Sequence, residues 1–408
     1  MLRRLWQSRS LCWRAALSAC ALVGFGLAPA QQAFALSIPG GELVGQLPGW
    51  PHIKAQNTQV DELRPGVTLS WVDLWTDTGL LHIYQIDADL AAPGISLGSV
   101  VADNSVVSVG ETVSSMATRT GALAGINGDY FAIHTSGVPL NWTIQNGNLI
   151  RSGNQWAVFG ITAGNKVDIG KYTWEGSLKV TKSGMTFPIE ALNLPLMDHK
   201  VMAVNQSMGS AMAAKDATLV YLTPTAAAQH YTVSSVLTNQ QAVPPVHGNT
   251  VVLAGEGVAA TWLAQYVPSG AALELNYHSR PDWHDLRTAI GGGPIVVKGG
   301  LPYDDPQSPA PFEAGTPYPV SGVGISQDGR HLSLVTVDGH EGKPYRGLTR
   351  PQLAWYFQTI GAWNAMAFDS GGSAEMTVRY PGTPYAMTVN HPSDGRERQV
   401  ADGLFIYG

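Results

Sequence analysis

The chain has 408 residues, of which 24 are basic and 30 acidic, with only two cysteines and a net charge of −6. Four of the basic residues fall in the first 35 positions, which hold no acidic residue, so 20 basic groups face 30 acidic ones downstream; such a surface repels nucleic acid, and no basic cluster offsets it. Both cysteines, Cys12 and Cys20, lie in that leader, which excludes disulfides, thiolate nucleophiles and cysteine metal sites from the remainder.

Residues 1–35 read as a secretory signal peptide. Arg3, Arg4, Arg9 and Arg14 supply its basic region, Ala15 to Leu27 its apolar region, and Ala33-Phe34-Ala35 a cleavage site. The apolar run is short for a membrane span. Leu17-Ser18-Ala19-Cys20 also fits a lipoprotein box, although few apolar residues separate Arg14 from Cys20. The expected product is exported, periplasmic or extracellular, meets the membrane only through this segment, and is large enough to fold without disulfides. Residues 36–64 are rich in Gly, Pro and Gln without periodicity and read as an N-terminal arm or linker.

Residues 65–408 read as one domain of short β-rich runs separated by glycine and proline turns. Trp71 to Leu74, Leu81 to Ile86, Thr250 to Leu253 and Ala272 to Tyr277 have strand character. Two helices stand out: Val109 to Arg119, opened by a Ser108 to Glu111 capping box, and one following Thr349. With 46 glycines, 26 prolines and so few helices, the expected fold is α+β, β-rich mixed sheets with flanking helices, rather than a doubly wound sheet. Residues 166–200 and 225–284 read as an elaborated sub-layer, and no fixed-period repeat is present.

The densest chemistry lies between Leu332 and Met376. One strand runs from Leu332 to Val337 and ends in Asp338-Gly339. Another runs from Ala365 to Phe368 and ends in Asp369-Ser370-Gly371-Gly372-Ser373. Between them Thr349-Arg350-Pro351-Gln352 forms a capping box with proline in the first turn, Leu353, Tyr356, Phe357 and Ile360 share one face, and Gly361 ends the helix. A strand-helix-strand crossover places its two strands parallel and near each other, with both carboxylates past the strand ends, where pockets form. Asp338-Gly339 also reads as a simple turn, and Asp369 as a turn cap.

Upstream, Asn127 and Asp129 in Ile126-Asn127-Gly128-Asp129-Tyr130-Phe131 fall where a strand opens into a turn. An Asn amide there either closes the turn or holds sugar hydroxyls. Ala289-Ile290-Gly291-Gly292-Gly293-Pro294 lacks the Lys-Ser/Thr pair of a nucleotide loop. Gly292 and Gly293 either serve a tight turn or bring amides close to a sugar or phosphate. The eleven histidines show no zinc spacing; His340, two residues past Asp338, is the one nearest the expected pocket, and it also reads as a solvated loop residue. A G-x-S-x-G nucleophile elbow is absent.

These blocks resemble the phosphodiester glycosidase family. The resemblance rests on Asp338-Gly339, the Thr349 helix and Asp369-Ser370-Gly371-Gly372-Ser373, on the 124–131 block, and on Gly137-Val138-Pro139 with Asn146 to Ile150. It also rests on the 289–294 block and on Asn390-His391-Pro392-Ser393-Asp394-Gly395-Arg396-Glu397-Arg398. It implies cleavage at the anomeric carbon of a sugar phosphodiester or an exopolysaccharide-linked sugar, with carbohydrate or sugar phosphate as the only partner and neither nucleotide nor cofactor. Under it, Asp369 is the leading nucleophile or cation stabiliser, Asp338 the second carboxylate or base, and Asp129 a third catalytic acid. Asn127, Gly292, Gly293, His340, Arg346, Gly371, Gly372, Ser373 and Arg398 would contact substrate. No dedicated metal site is expected, although Asp338 and Asp369 are of the type that binds calcium or magnesium. Three positions depart from the family pattern: Ser370 replaces a glycine, Val320-Ser321 stand where an Arg-Thr or Arg-Ser pair is usual, and His340 replaces an arginine. Losing two guanidiniums weakens the phosphate expectation, which Arg346 and Arg398 would have to restore, and keeps a non-catalytic carbohydrate-binding or envelope-assembly protein as the alternative.

Overall fold

Alternating apolar residues build an eight-stranded antiparallel sheet whose central strands are buried on both faces. The computed structural model describes residues 49–153, 156–306, 315–339 and 346–408, so the expected leader, the start of the expected arm and His340 lie outside it. Across the sheet the strands run Ile53–Arg64, Val67–Thr76, Gly79–Asp89, His331–Val337, Val320–Ile325, Asn364–Ala367, Ile295–Lys298 and Leu301–Pro302. The period-2 pleat sends Leu332 and Leu334 to one face and Val335 and Val337 to the other, and each face has its own apolar core. Residues 36–64, read as an arm, thus include the sheet's edge strand from Ile53 to Arg64. Its side chains are mostly exposed, which is why no apolar period marks it.

The Asp338 and Asp369 strands both pair antiparallel with Val320–Ile325, which lies between them. They are therefore parallel to each other, as the crossover implies, but one strand apart. Neighbouring strands are about 4.8 Å apart, so the two lie roughly 10 Å from each other. The crossover helix, α3 (Arg350–Thr359), has Thr349 as N-cap with the full capping box and buries Leu353, Tyr356 and Phe357.

Two further five-stranded sheets cover the opposite face, one built around Leu286–Gly292 and the other around Ala124–Asn127 and Asp402–Tyr407. The expected sub-layer is a closed seven-stranded barrel between Thr173 and Arg280, filled by Leu178, Val201, Val220, Leu253 and Leu275. Two helices differ from expectation. The first, α1 (Val113–Thr120), is capped by Thr112; Ser108 turns its hydroxyl to Asp103 and the Gly110 amide, and Glu111 pairs with Arg119. The other, α2 (Gly257–Tyr266), begins at Glu256, whose side chain makes no cap, so it carries none of the usual start signals.

Candidate active site

Asp369 sits where the chain leaves one sheet and enters another. The strand ends at Ala367, a short 3-10 turn spans Gly371–Ser373, and Met376–Val378 then pairs with Ala124–Asn127 of the neighbouring sheet. Backbone bonds from Phe368 to Ser321, Asp369 to Gly128 and Gly371 to Pro319 fix this crossing. Asn127 clamps it, its Nδ2 donating to the Asp369 carbonyl at 2.9 Å and its Oδ1 accepting from the Glu375 amide at 3.2 Å. Both ends of that amide hold protein backbone, so Asn127 shapes the turn instead of presenting itself to a sugar.

The Asp369 side chain is half-buried, and burial raises its pKa above the ordinary carboxylate value. Hydrogen bonds from Ser373 and the Ser370 amide, with the Arg398 charge nearby, hold the rise in check. Arg398 grips Asp394 through two bonds, of 2.8 and 3.0 Å, and lies 3.4 Å from the Ser373 hydroxyl. Gly372 is what lets it lie there: an added Cβ would come within 2.0 Å of Arg398 Nη2. A second guanidinium comes from Arg350, at the first turn of α3. It is buried and hydrogen-bonds Tyr130, whose phenol feels both Arg350 and Asp369.

Asp338 is fully enclosed in an adjacent cluster. Its Oδ1 accepts from the His391 amide at 2.9 Å and from Asn390 Nδ2 at 3.4 Å; its Oδ2 accepts from His391 Nδ1 at 2.8 Å and from the Tyr84 hydroxyl at 3.2 Å. Asn390 ties the two clusters together, since its Nδ2 also reaches the Ala374 carbonyl and its Oδ1 accepts from the Met376 amide. Arg346 is exposed, and its backbone bridges to Gly339 beside Asp338. Asp129 is sealed inside: Asn141 donates to its Oδ2 at 2.5 Å through the backbone and to its Oδ1 at 2.7 Å through the side chain. It forms a buried pair with Asp402, whose Oδ1 accepts from the Asp129 amide at 2.7 Å; burial raises both carboxyls, and Arg151 opposes the rise. With 1% exposure Asp129 meets protein groups on all sides, an arrangement unlike that of a catalytic acid.

The glycine run resolves into packing. A Cβ on Gly291 would come within 2.3 Å of Asn141, and one on Gly292 within 2.7 Å of Phe368. The Gly293 amide donates to Ala367, so it offers nothing to a ligand. Among the described residues no group of three or more His, Cys, Asp or Glu is placed to hold a metal ion, and no helix is long and apolar enough to cross a membrane. Sequence reasoning missed Tyr84, Arg151, Arg350, His391 and Asp402 as members of these clusters. His391 lies in a block already singled out, and Arg350 within the capping box, so both had a local signal; Tyr84, Arg151 and Asp402 had none.

A β-rich α+β fold with strand-end carboxylates beside guanidiniums is the class defined so far. Residues 224–407 match the model of the phosphodiester glycosidase family. The match includes Asp338, Asp369, Ser373, His391 and Arg398 and starts after Asn127 and Asp129. Two solved structures share the fold. A hypothetical protein from Synechocystis aligns at a TM-score of 0.71 and 17% identity over 86% of this chain, which spans only 64% of that protein's length. A Burkholderia pseudomallei protein inferred to be exported aligns at 0.70 and 17% identity, over 87% of this chain and 97% of its own. A zebrafish N-acetylglucosamine-1-phosphodiester α-N-acetylglucosaminidase catalytic domain aligns at only 0.46, with 17% identity over 86% and 88% of the two chains. Among curated proteins none matches.

Proposed function

We propose that the protein is an exported glycosidase that cleaves at the anomeric carbon of a sugar, joined through a phosphodiester or within an exopolysaccharide. The observation that carries this reading is the setting of Asp369, which alone among Asp129, Asp338 and Asp369 combines partial exposure with a fixed turn, hydroxyl support and a neighbouring guanidinium. A carboxylate so held stabilises an oxocarbenium-like centre, either electrostatically or by bonding to it. A phosphate leaving group departs as a stable anion, so the site needs a cation to receive it more than it needs a strong acid. Arg398 and Arg350 supply two guanidiniums in place of those missing from the family pattern, which supports a phosphate-bearing substrate.

The test is a panel of p-nitrophenyl glycosides and sugar-1-phosphodiesters, run with the wild type and with Asp369→Asn. Hydrolysis of at least one compound, abolished in a variant that keeps its melting temperature, is the expected result. Sugar binding with no turnover by the wild type would favour the non-catalytic alternative. Intact mass of the protein from cell fractions tests export: a chain starting at Leu36 is expected, while lipid on Cys20 or an uncleaved leader would overturn soluble export.

A further inference from the structure

We propose that His391 is the proton-transfer residue of this site, taking a proton from the attacking water, and that Asp338 and Tyr84 position it. The inference rests on the glycosidase reading and changes the role of Asp338 from base to orienter. Both Asp338 oxygens already accept hydrogen bonds from Tyr84, Asn390 and His391, and the side chain has no exposure, so it cannot reach a substrate itself. The His391 ring, by contrast, is 64% exposed.

A carboxylate can only accept, so the 2.8 Å contact makes His391 Nδ1 the donor, and the neutral ring then carries its lone pair on Nε2. The Tyr84 hydroxyl, 2.9 Å from Nδ1 and 3.2 Å from Asp338 Oδ2, braces the same edge. His82 stands behind, its ring centroid 6.1 Å from that of His391 and its own Nδ1 bound to Asp73, so a second carboxylate-backed imidazole limits rotation of the first. The loop bearing His391 runs along the Asp369 turn. Asn390 bonds Ala374 and Met376, and Arg398, seven residues on, reaches Ser373.

In the step itself a water O–H bond breaks and the proton passes to His391 Nε2. The water oxygen bonds to the anomeric carbon while the bond from that carbon to the leaving oxygen breaks, its electron pair staying with the leaving group. The imidazolium then returns its proton to solvent. Asp369 steadies the cationic centre throughout.

His391→Ala and His391→Gln should lower kcat on p-nitrophenyl and phosphodiester substrates by about 10²–10⁴-fold with KM changed little. Azide, which needs no deprotonation, should restore part of the His391→Ala rate and yield a glycosyl azide. Wild-type rates in either variant, or no azide product, would overturn the proposal. Imidazole nitrogen shifts in the ¹⁵N spectrum provide a readout independent of turnover. They should show His391 protonated on Nδ1 in the wild type, with that preference weakened in Tyr84→Phe, and in Asp338→Asn if it folds. An Nε2-protonated ring in the wild type overturns the positioning argument, whereas an inactive wild type with the expected tautomer overturns the glycosidase reading instead.

Discussion

Asn127 holds Asp369 in place from 242 residues away, through a 2.9 Å bond from its side-chain amide to the Asp369 carbonyl. The same amide accepts from Glu375, so one side chain fixes both ends of the turn on which the site is built. Asn127→Ala should therefore leave two buried backbone groups without partners, costing about 1–3 kcal/mol of stability. Turnover should fall at least tenfold with KM nearly unchanged, because the turn shifts while sugar contacts stay. Denaturant unfolding and steady-state kinetics of the same preparation check both effects. A large KM increase at constant kcat would mean that the amide binds sugar directly.

Gly372 makes room for Arg398, and the consequence is specific to charge. In Gly372→Ala the new methyl would meet Arg398 Nη2 at 2.0 Å and Asp394 Oδ1 at 2.4 Å, forcing the guanidinium off the Ser373 hydroxyl. If Arg398 receives an anionic leaving group, kcat/KM on a sugar-1-phosphodiester should fall about tenfold or more, while an uncharged aryl glycoside is affected less. Equal losses on both substrates would assign Arg398 to holding the turn.

The parts of this arrangement that are local in sequence are the ones that could be read from it. The strand ends at Asp338 and Asp369, the capping box at Thr349 and the stop at Gly361 all depend on residues within a turn or two of each other. The Ser108 box failed because Gly110, at φ +90°, breaks the chain away from helical geometry there, and the Ser108 hydroxyl satisfies the Gly110 amide instead. Roles set by distant partners were invisible. Nothing near Asp338 in sequence announces Tyr84 or His391, and nothing in Asn-Gly-Asp says that Asn141, Arg151 and Asp402 will enclose Asp129.

The glycine run at 291–293 separates two physical readings that the sequence left level. Gly291 packs against Asn141 Cβ and the Asp129 carboxyl, positions an added Cβ would approach to 2.3 and 2.9 Å. Gly291→Ala should therefore act on folding, destabilising by about 1–3 kcal/mol or more and reducing soluble yield. Affinity for a sugar or phosphate in whatever folds should stay the same. Thermal melts and ligand titration distinguish this from a ligand-binding nest, for which stability would hold and affinity would fall.

Glu375 and Glu397 set the last expectation, for pH. The Thr388 hydroxyl lies 2.9 Å from Glu375 Oε1 and 2.6 Å from Glu397 Oε1, yet it has one hydrogen to give, so the triad is complete only when one carboxyl keeps its proton. That carboxyl is Glu375, fully enclosed, which burial and the Glu397 charge push from 4.5 up to about 8. In the unfolded chain it deprotonates near its ordinary value. Between these limits the native state therefore binds more protons than the unfolded one, and its stability declines as pH rises. The contribution is complete below about 4.5 and is lost as pH passes through about 8. Glu375→Gln keeps a neutral donor in place and removes this proton. The variant should lose less stability than the wild type between the two limits, by on the order of 4 kcal/mol. Parallel denaturant titrations at several pH values measure the difference; curves that run parallel across the range would mean that Glu375 is ionised in the native protein and that Thr388 serves Glu397 alone.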